Sequence, residues 1–108
     1  MSIPPNPTYS MIKVISWNCR DLGHPSKTAA LKDLIDHEKP GILMIQETKQ
    51  RLQERKGTID QLRHYDGHIC EARGASGGIT TIWNKNVWTC TSNTISQFWV
   101  KVTLEKQA

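Results

Sequence analysis

Apolar residues arrive in short blocks along the chain, and the spacing inside each block separates strands from helices. Ile12, Val14, Ile15 and Trp17 fall within 11–17, and Ile42, Leu43, Met44 and Ile45 form a second run. Both are short and rich in β-branched residues, which predicts strands; the first, apolar nearly throughout, is expected at the centre of its sheet with both faces covered. Between them Ala30, Leu31, Leu34 and Ile35 recur at helical spacing, while Lys27, Lys32, Asp33 and Asp36 face water. Ser26 is a suitable N-cap for this helix, and Pro40-Gly41 ends it. Strand, helix and strand make a βαβ unit, so the two strands are expected to be parallel with a right-handed crossover.

The second half reads differently. Leu52, Ile59 and Leu62 give a thin apolar face to a short peripheral helix over 49–63. Strands are expected at 65–72 and 79–83, with the glycine-rich turn 73–78 between them. Asn84-Lys85-Asn86 reads as a hairpin loop leading to a returning strand at 87–91. Phe98, Val100, Val102 and Leu104 then alternate with Trp99, Lys101, Thr103 and Glu105, the clearest period-two segment in the chain. Its apolar face needs a second layer. Left uncovered, that face would invite aggregation. Residues 1–10, with Pro4, Pro5 and Pro7, read as a flexible arm ahead of a domain covering 11–108.

Composition narrows the setting. At 108 residues the chain holds one domain at most, and 37% hydrophobic residues support a modest core. The net charge of +4 and pI of about 9.1 permit a polyanionic partner without requiring one. Cys19, Cys70 and Cys90 are odd in number and widely spaced, so no disulfide-linked partner is expected and a reducing, intracellular setting fits. Neither a secretory signal nor a run approaching about 20 apolar residues is present, so no membrane partner is expected.

Two polar residues end the paired runs: Asn18 after the first and Glu47 after the second. In a parallel pair they emerge side by side at the carboxyl ends of the strands, where open α/β sheets place their ligands. The first loop has a single glycine, Gly23, so it is neither a dinucleotide fingerprint nor a phosphate-binding P-loop. The histidines at 24, 37, 64 and 68 have no zinc-ligand spacing with cysteine. Glu47 at the mouth of an apolar strand needs a partner, either a hard divalent cation or a helix terminus or neighbouring Lys49 or Arg20. Asn18 either orients Glu47 or a phosphate oxygen, or simply forms the turn. Lys49, Arg51, Arg55 and Lys56, set against Glu54, make either a solvated face or a contact for nucleic-acid phosphates.

The wording around these positions goes further. Ile15-Ser16-Trp17-Asn18-Cys19-Arg20, then Leu22-Gly23, Pro40, Ile45-Gln46-Glu47-Thr48-Lys49, Ser76-Gly77-Gly78-Ile79 and Trp83, in that order, resembles the amino-terminal half of the endonuclease/exonuclease/phosphatase superfamily. Within it, the chain is similar to the endonuclease domain of plant LINE-type (non-LTR) retrotransposon polyproteins. The resemblance implies an α/β fold: the amino-terminal half of a two-sheet α/β sandwich, a βαβ start followed by antiparallel strands, truncated. It also implies a magnesium-dependent phosphodiesterase acting on DNA, with manganese as a substitute ion and the nucleus as its setting. Glu47 matches the metal ligand and Asn18 its neighbour in the active site. The strands carrying Trp83, Trp88 and Trp99 are expected to contribute core rather than base-stacking platforms.

Departures from that pattern carry consequences. Asp21 stands where such relatives usually have Gly, which predicts strain in a tight loop, and Gly41 stands where an Asp commonly precedes the second strand. The later Gly-Asp-x-Asn and Ser-Asp-His motifs have no counterpart, so the groups that position water and stabilise charge are missing. Two functions remain open: a fragment of a metal-dependent DNA endonuclease, inactive alone, or a non-catalytic nucleic-acid-binding remnant.

Overall fold

The computed structural model describes residues 12–73, 77–96 and 99–107, which leaves the expected arm at 1–10 and Phe98 outside the described residues. The elements are β1 (Val14–Asn18), α1 (Pro25–Glu38), β2 (Ile42–Gln46), two 3₁₀ turns (Leu52–Gly57 and Ile59–Gln61), β3 (Tyr65–Cys70), β4 (Ile79–Asn84), β5 (Trp88–Ile95) and β6 (Val100–Lys106). The fold is α/β with two sheets. One has four strands in the order β1-β2-β4-β3, and the other pairs β5 with β6.

β1 and β2 are parallel, with Val14 opposite Ile42 and Asn18 opposite Gln46. β4 lies antiparallel between β2 and β3. Alternation places Ile15, Trp17, Leu43, Ile45, Ile69 and Ile82 on one face. They form a single cluster with Leu31, Leu34 and Ile35 of α1 and with Ile59 and Leu62. Leu43, Ile45 and Ile82 are fully buried, and each contributes about 1.5–3 kcal/mol of burial. Gly67 of β3 lets the second 3₁₀ turn approach, since a Cβ there would lie 2.8 Å from Ile59 Cδ1 and 2.9 Å from Thr81 O.

Five expectations need correction. β1 is an edge strand rather than a central one, and 48% exposure of Val14 shows that only its Ile15/Trp17 face is covered. His24, not Ser26, is the N-cap of α1, because Pro25 occupies the first turn with its φ already helical and its missing N–H harmless there. The helix expected over 49–63 is two 3₁₀ turns broken at Thr58. Leu52 is exposed, so too little apolar surface remains to hold an α-helix together. Nor do β4 and β5 form a hairpin: the turn in which Val87 N donates to Asn84 O carries the chain from the first sheet into the second. Trp83 is buried as expected, but Trp99 is half exposed ahead of β6.

His68 lies on β3, and burial holds its imidazole below the ordinary pKa of 6.5, a shift that nearby Asn93 of β5 partly opposes. Its Nδ1 is buried with no hydrogen-bond partner among the described residues. Between the lowered folded value and 6.5 the unfolded chain binds a proton that the folded chain refuses. Stability should therefore be independent of this group above about pH 6.5 and should fall as the pH drops from there through the folded value. Urea unfolding from pH 7.5 to 5 should show that decline in wild type and a shallower one in His68→Gln; equal slopes would remove His68 as its source.

Candidate active site

The ladder between β1 and β2 continues past both strand ends. Cys19 N donates to Gln46 O (3.1 Å), Asp21 N to Glu47 O (2.7 Å) and Leu22 N to Thr48 O (2.9 Å). On the other side, Thr48 N donates to Gly78 O (3.3 Å) and Lys49 N to Gly77 O (2.7 Å). Glu47 thus sits on a strap held by backbone on both flanks. Lys27 of α1 reaches down to the Cys19 carbonyl at 2.5 Å, and Thr28 Oγ1 reaches the Leu22 carbonyl at 3.4 Å.

This strap is strained. Positive φ occurs at Arg20 (54°), Asp21 (94°), Glu47 (53°) and Lys49 (51°), whereas the remaining described non-glycine case, Lys39, merely ends α1. Each such residue costs on the order of 1 kcal/mol or more, and such outliers gather at functional sites. Asp21 meets the strain expected of it, although its Oδ1 accepts a bond from Gly23 N (3.0 Å) that returns part of the cost. Asp21→Gly should therefore stabilise the chain by about 0.5–1 kcal/mol in chemical unfolding. A destabilised variant would mean that the Gly23 bond outweighs the strain.

Asn18 and Glu47 are both exposed at neighbouring strand ends. Neither side chain has a hydrogen-bonding or ion-pair partner among the described residues. Helix capping and pairing with Lys49 or Arg20 are therefore not what occupies Glu47. Cys19, fully buried beneath it, has its thiol pKa raised by desolvation and is suited to packing rather than to nucleophilic chemistry.

The cations divide. Lys49 and Arg51 line an open cavity of about 540 Å³ together with Gln50, Gln53, Glu71 and Ala72. Lys56 is exposed on the first 3₁₀ turn. Arg55 is turned inward: it pairs with Asp60 (3.0 Å) and Asp66 and donates to Gly67 O (2.7 Å), bracing the 3₁₀ turns against β3. Nothing in the sequence marked Asp66, eleven residues away, as its partner.

A buried polar chain beneath the strap was also missed. Thr48, Gln50, Thr58 and Thr80 are all buried. Gln50 Nε2 donates to Thr58 Oγ1, Thr80 Oγ1 donates to Gln50 Oε1 (3.0 Å), and Gln50 N donates to Thr48 Oγ1 (3.4 Å). Gln50 lies in a run of charged and polar residues that reads as solvated, so periodicity gave no signal for it.

As a ligand set, the strap offers one unpartnered carboxylate with an amide at the adjacent strand end. No group of three or more His, Cys, Asp or Glu suited to a metal occurs among the described residues. One carboxylate with an adjacent amide is a ligand set that magnesium accepts, since it uses one or two protein carboxylates and takes its other ligands from water and phosphate. No family model and no curated protein matches the chain. No helix among the described residues is long and apolar enough to cross a membrane.

Proposed function

We propose that the chain is part of a magnesium-dependent phosphodiesterase domain of the endonuclease/exonuclease/phosphatase type, in a retrotransposon-like DNA endonuclease. The observation that carries this reading is the unpartnered Glu47 carboxylate on a strained strap beside Asn18. Glu47 holds the ion, Asn18 orients Glu47 or a phosphate oxygen, and Lys49, Arg51 and Lys56 receive the DNA backbone, with Arg55 kept for bracing. The ion supplies charge neutralisation at the phosphodiester. Because the 108 residues contain no Gly-Asp-x-Asn or Ser-Asp-His motif, they bind ion and DNA without hydrolysing it. A DNA-containing compartment such as the nucleus follows from the same reading.

The test is Mn²⁺ binding, followed by electron paramagnetic resonance with a short DNA duplex present. Wild type should retain bound Mn²⁺ and Glu47→Gln should lose at least tenfold in affinity, about 1.4 kcal/mol. Equal binding by the two proteins would falsify the metal role of Glu47.

The open cavity lined by Lys49 and Arg51 favours a second reading, a nucleic-acid-binding module with no metal. It predicts salt-sensitive DNA binding that is the same in chelator and in Glu47→Gln but weakens when Lys49 and Arg51 are neutralised.

A further inference from the structure

The opposite end of the four-stranded sheet carries a groove that the proposed site does not use. There α1 ends, β2 and β3 begin and β4 ends, with Ile42 opposite Trp83 and Tyr65 opposite Asn84. Two depressions of about 290 and 270 Å³ adjoin, sharing Ile35, Asp36, His64 and Tyr65. Ile35, Leu62 and Tyr65 form a floor that is nearly closed to water, and Tyr65 is fixed by its hydroxyl donating to Pro40 O at 2.8 Å.

The rim differs in chemistry from the floor. Lys32 and Arg63 line one depression and Lys39 the other, all exposed. None of the three is in an ion pair among the described residues, where the pairs are Lys13–Glu38, Arg55–Asp60 and Arg55–Asp66. Asp36 is the one acid on the rim.

Between these cations stands the exposed ring of His64, and its orientation is set. Asn86 Nδ2 lies 3.1 Å from His64 Nδ1, a hydrogen-bonding contact that holds the ring in place. Asn86 is itself positioned by its backbone N–H donating to Asn84 Oδ1 at 2.9 Å. Lys85 N donates to His64 O at 3.0 Å, tying the two loops together. A fixed aromatic ring flanked by unpaired cations over an apolar floor matches what a single nucleic-acid strand needs: charge for its phosphates and a flat face for a base.

We propose that this groove is a binding site for single-stranded nucleic acid, with Lys32, Lys39 and Arg63 on the phosphates and His64 stacked on a base. An acidic peptide would meet the charge of the rim but would gain nothing from the ring. The site is independent of the metal reading, because it shares no residue with Asn18, Glu47 or the cavity beside Lys49.

The experiment is fluorescence anisotropy of the 108-residue chain with a labelled twelve-nucleotide oligothymidylate in EDTA across a salt series. Wild type should bind at low salt. Lys39→Gln/Arg63→Gln should weaken binding about tenfold or more and lower the slope of log K against log salt by roughly 0.7 for each neutralised residue. His64→Ala should weaken it about fivefold or more with little change of slope, and an abasic oligomer of the same length should bind wild type as weakly as the oligothymidylate binds His64→Ala. Circular dichroism and urea midpoints should confirm that these surface variants are folded. Lys101→Gln/Lys106→Gln, exposed on β6 and outside both sites, should leave this interaction intact; if it weakens binding as much as Lys39→Gln/Arg63→Gln does, binding follows net charge rather than this groove and the proposal fails. The proposal also fails if the oligomer does not bind at low salt, if the abasic oligomer binds as well as the intact one, or if a polyglutamate peptide competes at equal charge concentration.

Discussion

Gln50→Leu is expected to lower stability by about 2–3 kcal/mol, measured by urea unfolding. The side chain is buried and bridges two threonine hydroxyls, one from the 3₁₀ turns and one from β4. Leucine keeps the approximate volume but leaves the Thr80 hydroxyl, which is fully buried, without its acceptor. An orphaned buried polar group forfeits its desolvation in full, whereas removing both partners restores much of the balance. Thr80→Val in the Gln50→Leu background should therefore be less damaging than Thr80→Val in wild type, with a coupling of about 1 kcal/mol. Strict additivity would show that Gln50 acts through packing alone. The bond from Gln50 N to Thr48 Oγ1 is made by the backbone amide and is retained in the variant, so the loss is confined to the side-chain bridge.

How far the sequence could have led to that strap depends on which forces were local. β2 was legible residue for residue, since a short β-branched run bounded by Pro40-Gly41 and Glu47 has few other ways to fold. The parallel pairing of β1 and β2, and with it the neighbouring placement of Asn18 and Glu47, followed from the length of the crossover. The strain at Asp21 was legible only through the resemblance, in which Gly usually stands at that place, because an aspartate in a turn carries no mark of it by itself. What stayed hidden depended on distant partners. Periodicity reports that a face is apolar, not whether a layer covers it, so β1 read as central although Val14 is half exposed. The interior role of Arg55 depends on Asp66, and the burial of Gln50 on Thr80, thirty residues away; a charge or amide carries no mark of such a partner. The switch of sheets after β4 was missed because a three-residue polar loop serves a hairpin and a crossover between layers equally well.

Gly77→Val is expected to cost about 2 kcal/mol and to displace Glu47, reducing its affinity for Mn²⁺ about tenfold. A Cβ on Gly77 would lie 3.1 Å from Glu47 Cα, 3.3 Å from its Cβ and 3.2 Å from its Cγ, and the branched methyls of valine would press further. Relief by moving the 77–78 segment away is resisted, because Gly77 O and Gly78 O accept bonds from Lys49 N and Thr48 N. Relief by moving Glu47 is resisted from the other side by the bond from Asp21 N to Glu47 O. With both flanks held, the extra volume must either break one of these bonds or turn the Glu47 side chain. Gly57→Ala makes the comparison clean, since a Cβ there meets nothing within 4 Å and stability should stay within about 0.5 kcal/mol. If Gly77→Val lost stability while Mn²⁺ affinity held, the strap would be a structural clamp, and the close approach at Gly77 would have no bearing on where the carboxylate points.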